Sequence, residues 1–511
     1  LSQSRVSNTI KNARVNLVYY LLAIVVAFFS RKIFLDYLGD EFAGLISILQ
    51  KILGFLNLAE LGISTAIGFS LYKPLYQKNK QEVNHIVTYF GYLYKKIGFG
   101  ILIIGGLVSA AFPVIFPSIG LSFLIVYLAF YTLLVSAALG YLFNYPQTLF
   151  QADQKEYMVS RYFQSFTIVK SIIQMGLIYV FKDYYLWIAI ELVFAILLTI
   201  AFHRQSKKSY PWLDFNWKRA SDKIKKYPDI LIKVKQLFIH KISFFVLVST
   251  DQFLVYAFVN LESVAFFANY QLIFDRLSIL MNKLFSGVQA GVGNLVAENK
   301  STQIQKVFWE MMSLRHFFGG LAFITLFYLT EDFVRIWVGE KYILEPLVLI
   351  LMLLNLYIAQ VRKPVDDFIN AYGLFSDVWA PITEAVINLI ISIIFGSMYG
   401  IPGILFGTLV STFIIVILWK PYFLYREGFK LDFWQFWKRN IKLICLFAVT
   451  MAIVFYILRL VDKSIDSFVD WGIYAIKVSA LAFICYSSVL FLFDPGYRAV
   501  VKRIQNLLSK N

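Results

Sequence analysis

The chain has 511 residues, of which 59% are hydrophobic, 18% aromatic and only 15% charged, with a net charge of +17 and a mean hydropathy of +0.67. Soluble domains average about 45–50% apolar and about 25% charged residues, so an ordinary soluble enzyme, a disordered scaffold and a nucleic-acid binder are all excluded. What remains is a polytopic membrane protein.

A membrane-crossing helix needs about 20 mostly apolar residues. In chain order, fourteen segments qualify: 15–38, 42–72, 84–115, 119–149, 160–181, 184–203, 237–259, 263–296, 307–330, 344–372, 379–398, 402–425, 441–460 and 472–493. The polar, basic stretch 2–12 ahead of the first run reads as the start of a span, not as a cleaved signal peptide. With the N-terminus placed inside and the spans alternating, the outer segments hold only Lys182, Arg335, Lys341, Arg459 and Lys463. The inner segments collect nearly all the other lysines and arginines outside the spans, with the largest group between Arg204 and Lys241. Fourteen spans with both termini cytoplasmic therefore satisfy the positive-inside rule.

The long basic segment 204–236 divides the chain after the sixth span, and each half begins inside. Leu38-Gly39-Asp40-Glu41-Phe42-Ala43 joins the first two spans, and Val259-Asn260-Leu261-Glu262-Ser263-Val264-Ala265 joins the seventh and eighth. Tyr157 and Trp379 open the fifth and eleventh spans at nearly the same offset. The expected fold is all-α, with two pseudo-symmetric six-helix lobes (1–203 and 237–425), two appended spans (426–493) and a cytoplasmic tail (494–511). Such repeats suit alternating access with a substrate at the repeat interface. In the tail, Val500, Val501, Ile504, Leu507 and Leu508 recur at helical spacing among Arg498, Lys502, Arg503 and Lys510, as in a helix lying on an anionic leaflet.

Enzymatic chemistry finds little support. Cys445 and Cys485 lie in apolar runs, and His85, His203, His240 and His316 are scattered, so neither a disulfide framework nor a zinc spacing exists. No phosphate loop or dinucleotide fingerprint occurs. The longest outer loop, about 330–345, is short and poor in histidine, unlike that of a membrane glycan polymerase or ligase. The chain reads as a transporter with no cofactor and no metal beyond a coupling Na⁺ or H⁺.

Ionisable groups within spans are costly and are therefore functional candidates. Arg31 and Lys51 each lie about 12–15 Å below the first outer loop, level enough to close on one anion. Lys32 follows Arg31 about 100° round the helix. Arg276 and Lys283 sit two turns apart on one face of the eighth span. Among the acids, Asp251 lies about 14 Å below the outer end of the seventh span, nearly level with Asn388 on the eleventh. Glu384 is one turn from Asn388, and Asp366 and Asp367 follow the kinking Pro364. Carboxylates with an amide oxygen suit Na⁺ or a proton.

Several stretches carry a resemblance. They are Tyr37-Leu-Gly-Asp-Glu-Phe-Ala-Gly-Leu45, Leu58-Ala-Glu-Leu-Gly-Ile-Ser-Thr-Ala66, Ser70-Leu-Tyr-Lys-Pro-Leu75, Asn144 to Tyr157, and Glu384-Ala-Val-Ile-Asn388 followed by Gly400-Ile-Pro-Gly-Ile404 and Gly407-Thr408. In order and topology these resemble Wzx-type polysaccharide flippases of the MOP superfamily, relatives of the MurJ lipid II flippases and the MATE exporters. The resemblance implies flipping of an O-antigen or capsule repeat unit on polyprenyl (usually undecaprenyl) pyrophosphate, from the cytoplasmic to the periplasmic leaflet of a bacterial inner membrane. Partners would be the lipid-linked oligosaccharide, the phospholipid bilayer and glycan polymerase or assembly proteins, and the chain would be monomeric. The family carries cations in spans one, two and eight, matched in type and span by Arg31, Lys51 and Arg276. Its relatives place ion sites in the second lobe, which directs attention to Asp251 and spans ten and eleven. The alternative is a MATE-like, cation-coupled exporter of small molecules. Glu60 in the second motif reads as either an interhelical tie or a substrate contact.

Overall fold

The computed structural model describes residues 2–57, 63–117, 119–214, 249–297, 301–374, 376–461, 463 and 465–508. Glu60 and most of the basic inter-lobe segment lie outside them. The described residues are helical throughout, without strands, as a lipid-embedded chain requires: each backbone polar group must be satisfied within its own segment. Among the described residues eleven helices are long and apolar enough to cross a membrane. Their outward faces are apolar, with Ile103, Leu107 and Ile476 well exposed. That inverts the soluble pattern and marks the surface that lipid covers.

The chain divides into two compact units, residues 1–252 with 261–265, and residues 253–260 with 266–511. The first contains α1 (Ser2–Leu56), α2 (Ile63–Tyr76), α3 (Lys80–Ser109), α4 (Phe123–Phe143), α5 (Gln147–Ala152), α6 (Glu156–Phe181) and α7 (Tyr184–Ser209). α8 (Leu261–Ala297) starts in the first unit and continues in the second, which further holds α9 (Ser301–Trp337), α10 (Pro346–Val361), α11 (Lys363–Ala371), α12 (Trp379–Tyr399), α13 (Ile401–Thr412), α14 (Trp434–Leu458), α15 (Phe468–Phe493) and α16 (Pro495–Leu508).

The fourteen expected spans reduce to eleven for identifiable reasons. The first two are two helices that meet directly at Gly39 within the continuous stretch α1, where a non-helical φ of 79° is open to glycine at little cost. Most of the seventh lies outside the described residues. The eighth, α8, is long enough but is diluted by Asp275, Arg276 and Lys283. Residues 58–62, inside the second expected span, lie outside the described residues. The fourth expected span ends early, because Asn144, Tyr145 and Pro146 separate α4 from α5.

In the first unit, Phe34 and Phe42 stack at 5.4 Å across the Gly39 bend, and Trp187 of α7 meets both edge-on. This aromatic knot fixes the angle between the two halves of α1. In the second unit, Ile324, Leu329, Val454, Leu458, Tyr474, Val478 and Ala482 form a core that binds α14 and α15 to α9.

Two breaks in the second unit matter for the site. Pro364 lacks the N–H that would continue α10, so the helix interrupts at Arg362 and restarts as α11. α13 runs on beyond Thr412, widening into π-helical turns at Phe413–Trp419 and Leu424–Phe429, with Lys420-Pro421 between them. Pro421 again removes a donor, and the wider turns absorb the loss.

Candidate functional site

In the first unit the candidate cations occupy three different settings. Arg31 on α1 is half-buried, and its Nη2 donates to the Ala265 carbonyl on α8 at 3.0 Å. Lys32 is turned to its own helix, 3.2 Å from Asp36, with both side chains about two-fifths exposed. Lys51 is half-buried on the second half of α1, and its charge acts on Asp251. Asp251, on the helical stretch 249–258, is only 8% exposed, and its Oδ1 accepts no hydrogen bond.

The same unit contains an intramembrane ion pair that the sequence reading passed over. Lys170 of α6 holds both carboxylate oxygens of Glu191 on α7, at 2.6 and 2.8 Å. Gln174 donates to Glu191 and to the Trp187 carbonyl, both at 3.3 Å. Residues three to four positions apart on α6 thus tie it to α7, a structural use of charge in lipid.

At the end of α5, Asp153 sits 2.6 Å from Lys155 and accepts from the Tyr210 hydroxyl at 2.8 Å. Burial, then the Asp153 charge, pushes the Tyr210 phenol far above its ordinary value. Asn84 accepts from the Asp214 N–H at 2.7 Å, and Thr88 donates to the Asp214 carbonyl. The Asn144–Tyr157 motif therefore seats residues 210–214 on the first unit.

In the second unit Arg276 is half-buried and Lys283 exposed, two turns apart on α8. The acidic candidates converge on a network. Asp366 accepts from Arg362 at 2.8 Å and from Lys420 at 3.0 Å, one oxygen to each. Arg362 also lies 4.0 Å from Glu384, which is buried on α12. Asp367 stands beside them, within the field of Arg315. Arg315 in turn donates to Gln360 at 2.9 Å and lies over the Phe285 ring at 4.0 Å. Sequence reading named the acids but not Arg362, Lys420 or Arg315. The available signal was the i, i+4 spacing of Arg362 and Asp366.

Asn388, one turn along α12 from Glu384, is fully buried. Its Nδ2 donates to Thr408 Oγ1 at 2.9 Å, while its Oδ1 accepts nothing. Ser392 donates to the Ile404 carbonyl at 2.9 Å. The glycines of the Gly400–Thr408 motif make this approach possible: a Cβ at Gly403 would collide with the Phe395 backbone, and one at Gly407 with Ser392. Among the described residues there is no group of three or more His, Cys, Asp or Glu that could hold a metal ion.

No family model and no curated protein matches the sequence. Among solved structures, the chain is similar to the lipid II flippase MurJ in an inward closed conformation, with a TM-score of 0.68 at 18% identity over 93% of this chain and 99% of that one. It is also similar to an inward-facing multidrug resistance MATE family transporter of the MOP superfamily, with a TM-score of 0.56 at 14% identity over 82% and 99% of the two chains. A third is a MOP superfamily transporter from Pyrococcus furiosus, described by the reverse polarity of its binding pocket, with a TM-score of 0.51 at 12% identity over 83% and 96%. These likenesses establish the fold: a polytopic all-α membrane protein built like MurJ and the MATE transporters.

Proposed function

We propose that this protein is a flippase. It moves an oligosaccharide on polyprenyl pyrophosphate from the cytoplasmic to the periplasmic leaflet by alternating access. The observation that carries this reading is the presence of Arg31 and Lys51 on α1, a helix apolar enough to cross a membrane, and of Arg276 and Lys283 on the long helix α8, in a fold like that of a lipid II flippase. A pyrophosphate and its sugars cannot enter hydrocarbon unpaired, and guanidinium groups match phosphate oxygens two at a time. Arg31 and Arg276 are assigned to the pyrophosphate, with Lys51, Lys283 and Lys32 as supporting charge. The finer assignment to an O-antigen or capsule repeat unit rests on the sequence motifs alone.

Coupling to Na⁺ or H⁺ is part of the same proposal. Asp251 and Asn388 each keep a buried oxygen without a hydrogen bond, which is the state of an acceptor reserved for a cation. Asp366 has both oxygens engaged by its own chain, so the proposal gives it a structural role, with Glu384 and Asp367 at the margin of that network.

Leaflet exchange in proteoliposomes tests the reading. The probe is a short glycan on polyprenyl pyrophosphate, scored by an external glycosidase, with and without a Na⁺ gradient. Protein-dependent exchange is expected, and Arg31→Ala and Arg276→Ala should each abolish it without loss of folded protein. Unaltered exchange in both variants would sink the pyrophosphate assignment. The MATE-type structures favour one rival, a cation-coupled exporter of small molecules. Movement of a cationic dye without glycolipid exchange would establish that rival instead.

A further inference from the structure

α16 follows α15 after a single residue, Asp494. Asp494 caps it, accepting the Tyr497 N–H at 2.7 Å and the Ser313 hydroxyl of α9 at 2.5 Å. A side chain on Gly496 would collide with Ser313 and press on the Trp309 carbonyl. Seven residues later, Arg503 reaches Glu310 of α9, at 2.7 and 3.0 Å. Seven helical residues rise about 10 Å, whereas Trp309, Glu310 and Ser313 fall within about 6 Å along α9. Both ends of the contact thus meet one short stretch of α9, 309–313, in the first half of that membrane-crossing helix.

The charges on α16 are sorted by side. The two acids at the contact, Glu310 and Asp494, are 3% and 4% exposed and are spent on Arg503, Ser313 and the helix cap. α16 itself contains no acid. Tyr497 and Val500 are buried, Val501 is half-buried, and Ile504 is 51% exposed on the adjoining flank. Lys502, Gln505 and Asn506 are exposed on the far side, whereas Arg498 is half-buried and donates to the Phe491 and Leu492 carbonyls at 3.0 and 2.6 Å.

We propose that α16 is a seat for anionic phospholipid headgroups. Val501 and Ile504 enter the acyl boundary, Lys502 engages the phosphates, and the Arg503–Glu310 pair with the Asp494 cap ties the lipid contact to α9. The charge complementarity selects anionic over zwitterionic lipid, and the assignment is independent of the transported substrate.

The test uses the full chain with Cys445→Ser and Cys485→Ser and an environment-sensitive fluorophore on Ile504→Cys. The purified protein in detergent is titrated with short-chain phosphatidylglycerol and, separately, with phosphatidylcholine of the same chain length. The emission should shift to the blue at lower phosphatidylglycerol than phosphatidylcholine. Lys502→Gln should raise the phosphatidylglycerol midpoint about fivefold, the loss expected for one basic residue at an anionic surface, and leave the phosphatidylcholine midpoint alone. Gln505→Glu, a second exposed position on the same face, should act in the same direction. Equal midpoints for the two lipids, or a phosphatidylglycerol midpoint indifferent to both substitutions, would overturn the proposal.

Discussion

Asp366 in the second unit and Asp251 in the first are both carboxylates on helices in lipid, yet they are treated in opposite ways. Asp366 is held by Arg362 and Lys420, one oxygen each, at a place where prolines interrupt both flanking helices. Asp251 is more deeply buried, and one of its oxygens has no hydrogen bond. Broken helices supply Asp366 with partners from two elements, so its charge is absorbed by architecture. Among the described residues the opposing charge that bears on Asp251 is that of Lys51, and part of the desolvation cost stays uncompensated. A carboxylate that is fully paired can do little besides hold helices together. One that retains an open acceptor can bind something.

The strongest way to break this contrast is to remove a partner of Asp366. Arg362→Ala leaves the half-buried Asp366 and the buried Glu384 to share the single charge of Lys420. Breaking such a pair costs about 3–5 kcal/mol, and the lower end applies here because both side chains keep some solvent contact. Thermal unfolding in nanodiscs should show the largest loss of stability of the substitutions considered. Asp366→Asn in the Arg362→Ala background should recover part of it, since the orphaned charge is then gone. A single substitution without effect would remove the structural reading of Asp366.

Next in size is Tyr210→Phe, which deletes the hydroxyl donor to Asp153 and should cost about 2 kcal/mol, as expected for a hydrogen bond to a charged group. Its pH dependence has a definite sign. Burial and Asp153 hold the phenol above the ordinary value of 10.0, so the neutral phenol favours the folded state fully below that value. The contribution drains away as pH rises above it toward the folded value. The stability difference between wild type and Tyr210→Phe should therefore be flat on the acid side of 10.0 and shrink only in alkali. A difference that changes across neutral pH would mean that the Asp153 contact does not anchor residues 210–214.

Asp251→Asn should move the other way. Replacing a buried, incompletely paired carboxylate by a neutral amide is expected to raise stability by about 1 kcal/mol, while the Na⁺ or pH dependence of glycolipid exchange disappears. Stability gained where coupling is lost is the signature of a site kept open for a ligand. Lowered stability would place Asp251 with Asp366, as a tie between helices.

Much of this was legible in the sequence and some was not, for physical reasons. Hydropathy located the helices because lipid demands long apolar runs, and the positions of Asp251, Asn388 and the basic residues on them followed. The kink at Pro364 was legible because proline lacks a donor. The Lys170–Glu191 pair was not, because the two residues stand on different helices and no fixed spacing links them. Arg362 and Lys420 stood beside prolines, where attention went to the break and not to the charge it released. The break at Gly39 falls where the sequence places the join between the first two spans. A single glycine suffices there because the Phe34, Phe42 and Trp187 cluster holds the angle.

The smallest expected effect sharpens the comparison at its exposed end. Lys32 and Asp36 pair on the same helix with both side chains about two-fifths in contact with their surroundings, so Lys32→Ala should alter stability by less than about 1 kcal/mol. Arg31, one residue away, bonds to α8 and is assigned to the pyrophosphate. If only one of these neighbours faces the substrate, glycolipid exchange will fall sharply in Arg31→Ala and hardly at all in Lys32→Ala. Equal loss in both, with unchanged thermal stability, would mean that the Lys32–Asp36 pair opens during transport. Asp36 would then serve as the resting counter-charge of a second substrate cation, and Asp36→Asn should strengthen anion binding. Unchanged binding in Asp36→Asn would leave Lys32 as a surface ion pair of the kind that contributes to neither fold nor transport.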